Sequence, residues 1–360
     1  MGTGLRMVYL LSLYLNKYYS FLNVIHYVSF RVMASLLTAL IFSFIFGNSF
    51  IRWSKRYFRS KAREYTPENH RAKDDMPTMG GIFILMVVIA TVLLWSNLTK
   101  PEVWVFLSCL VLFGALGFWD DWSKICAKKG ISEKLKFQAQ IIIASLVVVL
   151  WLYTCKPSTE LYVPFFKNIH PELGLLFIPW AVFLLVGTSN AVNLTDGLDG
   201  LAIGSLLSNF STFSIIAYIA GHYSFANYLQ IPFAGTSEIS IIGATLVGAS
   251  LGFLWYNTFP AQIFMGDVGS LALGAGLALM ALMTKQELLL GIAGGLFVME
   301  TLSVIIQVFS YKRWGKRMFK MAPIHHHFEL MGWQESKITV RFGIISLILC
   351  LIALMTLKLR

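Results

Sequence analysis

Residues 104–124 read WVFLSCLVLFGALGFWDDWSK. An apolar run of this kind, close to 20 residues, is what a helix needs to cross roughly 30 Å of hydrocarbon. It ends on two adjacent carboxylates, Asp120 and Asp121, with Lys124 one helical turn beyond. Working outward, comparable apolar runs recur along the chain. They predict ten membrane spans, at about 28–51, 79–96, 102–119, 137–155, 173–190, 200–220, 239–256, 268–284, 288–311 and 339–357.

Composition agrees with that reading. The 360 residues are 57% hydrophobic and only 13% charged, against roughly 25% charged in a soluble domain. Mean hydropathy is +0.68. So few charges cannot cover a large soluble core. The fold class is therefore an all-α polytopic integral membrane protein, read as a single domain over 1–360. The apolar stretch Val8–Leu15 is followed by Asn16, Lys17 and two tyrosines, with no small-residue cleavage site. Residues 1–27 thus read as an interfacial segment ahead of a ten-helix bundle at about 28–357.

Net charge is +11, yet no basic stripe is interleaved with aromatics, so nucleic acid is excluded as a partner. The cations sit beside the spans. Connections after the first, third and ninth spans carry most of them, led by Arg52, Lys55, Arg56, Arg59, Lys61 and Arg63. Those after the even-numbered spans hold only Lys100, Lys156, Lys167 and Lys285. Positive loops stay in the cytoplasm, which puts the odd connections inside and both termini outside. The four cysteines (Cys109, Cys126, Cys155, Cys350) show no metal-ligand spacing, and neither a disulfide nor zinc is expected.

All seven aspartates fall on the side assigned to the cytoplasm: Asp74, Asp75, Asp120, Asp121, Asp196, Asp199 and Asp267. Helix capping explains any one of them, but not their confinement to one face. The segment NAVNLTDGLDGL, 190–201, spaces Asn193, Asp196 and Asp199 by three, so one helical turn would give them a shared face. Its oxygen ligands suit Mg²⁺ held partly by substrate phosphates. FPAQIFMGDVGSLALG, 259–274, sets Asp267 between two glycines, with Asn257 just before. Pro323-Ile-His325-His326-His327-Phe-Glu329 follows a basic run from Lys312 to Lys320. Three successive histidines cannot all reach one metal from a regular helix, but imidazoles can donate hydrogen bonds to an oxyanion. The basic run either attracts a charged substrate or marks orientation. Lys73 and Thr78, around Pro77 and a glycine pair, complete the polar set.

The DDxxK segment at 120–124, NAVNLTDGLDGL, FMGDVGS and MAPIHHHFE, in that order, resemble the phospho-N-acetylmuramoyl-pentapeptide transferase family over nearly the whole chain, from about Asn23 onward. The resemblance implies transfer of phospho-MurNAc-pentapeptide from its UDP conjugate to undecaprenyl phosphate with Mg²⁺, giving lipid I and UMP, by a homodimer in the bacterial inner membrane. It makes Asp267 the Mg²⁺ ligand and Asp120 and Asp121 the acidic pair near the lipid phosphate, with Asp120 accepting its proton. Asn193, Asp196 and Asp199 match the loop beside the nucleotide, and Phe264 the ring that stacks on uracil. Lys73, Thr78, Lys124, Lys136, Asn257 and Gln307 match other polar cleft positions. His325, His326 and His327 match the motif separating this branch from relatives that use UDP-GlcNAc. One departure is that Asp75-Met76-Pro77-Thr78 stands where the family has Gly-Thr-Pro-Thr, which puts negative charge beside Lys73. The alternatives are a polyprenyl-phosphate GlcNAc-1-phosphate transferase and, in another class, an ion-coupled transporter. A transporter would place its carboxylates near the bilayer midplane.

Overall fold

The computed structural model describes residues 20–58, 76–127, 130–166 and 168–358. Lys73, Asp74 and Asp75, and most of the N-terminal segment, lie outside the described residues. What is described is helix and loop, with no β-strand. In chain order the helices are α1 (Val28–Tyr57), α2 (Gly80–Trp95), α3 (Pro101–Ala127), α4 (Glu133–Cys155), α5 (Phe177–Thr195), α6 (Leu201–Ala220) and α7 (Tyr223–Leu229). They continue with α8 (Ser237–Asn257), α9 (Gly266–Met283), α10 (Leu289–Ala293), α11 (Gly295–Trp314), α12 (Ile324–Glu329) and α13 (Glu335–Thr356).

Among the described residues, nine helical segments are long and apolar enough to cross a membrane, and the 16-residue α2 is a tenth, shorter one. At 1.5 Å per residue α2 spans about 24 Å. The chain is thus an all-α polytopic membrane protein. Three features depart from the sequence reading. The ninth predicted span is two helices, α10 and α11, parted at Gly294. Two successive glycines there (Gly294, Gly295) weaken helix propensity and allow the bend. Helices α7 and α12 lie in connections read as loops. α3 continues past the predicted end at residue 119 to Ala127, so Asp120, Asp121 and Lys124 ride on helix.

Helix α9 is the axis of the bundle. It packs on α3, α5 and α2, and almost all of its length is buried. The sequence GDVGSLALGAGLALMALM is suited to this, because small residues let neighbouring backbones approach closely in a membrane. A Cβ built on Gly81 of α2 would lie 2.0 Å from the backbone N of Gly269 in α9. The same device joins α1 to α8. The buried stripe of α1 repeats every four residues as Ser35, Ala39, Ser43 and Gly47, and a Cβ on Gly248 of α8 would lie 2.2 Å from Leu36 O.

At the end remote from the aspartates, charged residues are buried in pairs. Arg31 meets Glu238 at 2.8 Å, and Glu238 also accepts the Asn97 N–H at 2.8 Å. Lys285 meets Glu287 at 3.0 Å and donates to Ser158 O.

Candidate active site

The site begins with a glycine. A Cβ at Gly117 of α3 would lie 2.3 Å from Asp267 O, so its absence lets α3 lie against the first turn of α9. One turn later α3 presents Asp120 and Asp121. Asp267 sits in that first turn of α9, where unpaired N–H groups and the helix dipole favour a carboxylate.

Two lysines bridge the three acids. Lys124 Nζ lies 3.0 Å from Asp120 Oδ2, 3.1 Å from Asp121 Oδ1 and 2.9 Å from Asp267 Oδ2. Lys136, from the first turn of α4, reaches Asp120 Oδ2 at 3.1 Å and makes a short contact with Asp267 Oδ2. Asp120 Oδ1 accepts the Ile131 N–H at 2.8 Å, which ties the connection between α3 and α4 to the site. Asn193 Nδ2 donates to the other oxygen of Asp267 at 2.9 Å and to Ser270 Oγ at 2.8 Å. Three carboxylates against two ammonium groups leave one negative charge uncompensated.

Over this floor opens a cavity of about 800 Å³, lined among others by Thr78, Asp120, Lys124, Lys136, Asn193, Asp196, Asn257, Phe264, Asp267 and His326. That volume suits a sizeable organic substrate. Thr78 and Phe264 are set by one short backbone pairing: Phe264 N–H donates to Pro77 O, and Gly80 and Gly81 N–H donate to Phe264 O and Met265 O.

The expected shared face of Asn193, Asp196 and Asp199 is not formed. α5 ends at Thr195, and the two glycines that follow turn the chain away from the helix. Asn193 and Asp196 line the cavity. Asp199 lies behind the wall, buried, its carboxylate accepting the Ala261 N–H at 3.0 Å. Asn257 braces the same wall, accepting from Gly200 N–H and donating to Ile263 O. Asp121 is buried and bonds Lys124 and Val268 N–H. Burial in the cleft, reinforced by the charges of Asp267, Asp121 and Asp199, pushes the Asp196 carboxyl up to about 8.

The histidines separate. His326 reaches the cavity and pairs with Glu329 at 2.7 Å. His325 is wholly buried against Glu300, and His327 Nδ1 accepts the Lys320 N–H. Gln307 does not line the cavity; it holds the 318–319 backbone through both ends of its amide. Sequence reasoning missed Ser270, Glu300 and the Gly130–Ile131 wall. For Glu300 a signal existed, since an acid inside an apolar span flags function.

A family model described as glycosyl transferase family 4 matches residues 103–285. Three relatives carry the name phospho-N-acetylmuramoyl-pentapeptide-transferase. The protein of Solidesulfovibrio magneticus is 49% identical over 98% of this chain and 100% of its own. That of Citrifermentans bemidjiense is 50% identical over 98% and 100%, and that of Aquifex aeolicus 49% over 98% and 100%. The chain belongs to this phospho-N-acetylmuramoyl-pentapeptide-transferase family. The glycosyl transferase family 4 match contains both lysines, Asn193, Asp196 and Asp267, and stops before the histidine turn. The transferase relatives span that turn as well.

Proposed function

We propose that the chain transfers phospho-MurNAc-pentapeptide from its UDP conjugate to undecaprenyl phosphate, giving lipid I and UMP in peptidoglycan synthesis. The observation that carries the reading is the joining of Asp120, Asp121 and Asp267 by Lys124 and Lys136 at the floor of one cavity, in a chain matched end to end by transferases of that name. Phosphoryl transfer needs positioning and charge neutralisation above all, and cations and carboxylates at a cavity floor supply both.

Mg²⁺ fits the donor set. Among the described residues no three His, Cys, Asp or Glu are grouped as a protein-only cage. Mg²⁺ is commonly held by one or two carboxylates together with substrate phosphates, and Asp267 offers such a carboxylate beside an uncompensated negative charge. When bound, the ion neutralises diphosphate charge. The chain's own groups do the rest. Lys124 and Lys136 turn to the phosphate oxygens. Asp120 takes the proton of the lipid phosphate. The freed oxygen attacks the β-phosphorus, the bond to the bridging oxygen breaks, and UMP leaves with the electron pair. Phe264 stacks on the uracil and His326 meets the muramyl side of the substrate. A phosphorylated aspartate formed first is the rival route.

The cavity is assigned to the cytoplasmic face of the inner membrane, because Arg52, Lys55, Arg56, Lys124 and Lys136 stand at the aspartate end of their helices. The family resemblance supports a homodimer.

The test uses purified protein in detergent with undecaprenyl phosphate. UMP release is expected from UDP-MurNAc-pentapeptide and not from UDP-GlcNAc, and is expected to stop when a chelator is added. Release from UDP-GlcNAc alone overturns the substrate, and release unaffected by chelator overturns the metal.

A further inference from the structure

Glu300 lies on α11, inside the ninth apolar run, and is wholly buried. A carboxylate there is costly unless hydrogen-bonded. Its Oε2 stands 3.1 Å from Nδ1 of His325 and 3.5 Å from the His325 backbone N. His325 is equally buried, and its Nε2 has no hydrogen-bond partner. That nitrogen faces Gly197, since a Cβ built on Gly197 would lie 2.3 Å from it. Gly197 follows Asp196, and both line the cavity.

The chemistry orders these contacts. A carboxylate oxygen accepts, so in the neutral ring the nitrogen it faces, Nδ1, carries the single hydrogen and Nε2 keeps its lone pair. The position a Cβ would take on Gly197 is occupied by one of its hydrogens, which therefore points at that lone pair, a weak C–H···N contact. The opposite tautomer would set an N–H against the same hydrogen and push the turn outward. We propose that Glu300 is a positioning residue for the transfer reaction, holding His325 as the Nδ1–H tautomer so that Nε2 seats the Asp196–Gly197 turn at the cavity wall. This rests on the transferase reading above.

Glu300→Gln keeps the size of the side chain but can present its NH₂ to Nδ1, which favours the wrong tautomer. Its kcat is expected to fall about 10- to 100-fold, by analogy with removal of the outer-shell partner of a metal-bound imidazole. KM for the nucleotide substrate should stay within about twofold, as for a loss felt in the transition state. His325→Gln and the double variant complete a cycle. A double variant no slower than His325→Gln supports the proposal, and effects that multiply overturn it. A second readout needs no Glu300 variant. In ¹⁵N-histidine spectra of the full chain in detergent, the resonances lost in His325→Gln should show a protonated Nδ1 and a bare Nε2. A bare Nδ1 overturns the proposal even if Glu300→Gln does not fold. Wild-type protein that releases no UMP removes the transferase reading and the proposed role with it, and the spectra then decide the Glu300–His325 pairing alone.

Discussion

Asp196, on the cavity wall, works against the stability of its own fold. Its carboxyl is held up to about 8 by burial and by the neighbouring acids, whereas an unfolded aspartate titrates near 3.9. Between those values the folded chain holds a proton that the unfolded chain has released, so stability falls as pH rises from about 4 to about 8. Asp196→Asn removes this penalty. The variant is expected to melt higher than wild type at pH 8, with the gap closing towards pH 4. An equal gap at both pH values would detach the effect from Asp196 ionisation. The crowding of aspartates on one side of the hydropathy pattern anticipates the meeting of Asp120, Asp196 and Asp267 at one cavity, while Asp74 and Asp75 lie outside the described residues. It does not show which of them line the cavity. Asp199 and Asp121 look no different from Asp196 in sequence, yet both are buried behind the cavity wall, bonded to the backbone N–H groups of Ala261 and Val268. Contacts of that kind join residues far apart in sequence and leave no local mark.

Helix boundaries were legible where hydrophobicity sets them and missed where glycine or tertiary contact does. The runs at 200–220 and 239–256 reappear closely as α6 and α8. The break at Gly294 lies within one unbroken apolar pattern, so periodicity alone passes over it. Close packing makes its own demands. Gly81→Ala must push against the Gly269 backbone at 2.0 Å, and overpacking of this kind costs about 1–3 kcal/mol. Gly187→Ala on the exposed face of α5 meets nothing within 4 Å and should stabilise by up to about 1 kcal/mol, the difference in helix propensity. Thermal unfolding of both variants in detergent checks the contrast, and equal melting shifts would refute the packing argument.

The bundle has two chemically different ends. One gathers carboxylates and lysines around a cavity, and the other buries Arg31–Glu238 and Lys285–Glu287 as internal pairs. Counting loop charges assigns an orientation but does not foresee these pairs, since burial is decided by partners that the count ignores. The polarity is testable in intact cells with a membrane-impermeant maleimide. The exposed Cys126, two residues beyond Lys124, should react only after lysis. A thiol introduced by Leu175→Cys, at a position 86% exposed near the other end, should react from outside. The reverse pattern would invert the assigned orientation. The buried axis formed by α9 also has a consequence for biogenesis. Its principal neighbours α2, α3 and α5 all precede it in the chain, and a chain emerges from the ribosome N-terminus first. The helix carrying Asp267 is therefore delivered into a socket already made, while the histidine turn arrives only afterwards. A truncated chain ending before α10 would hold the acid–lysine floor without its histidine wall, so arrested synthesis at that point would leave an intermediate with the charge centre assembled and one side of the cavity still open.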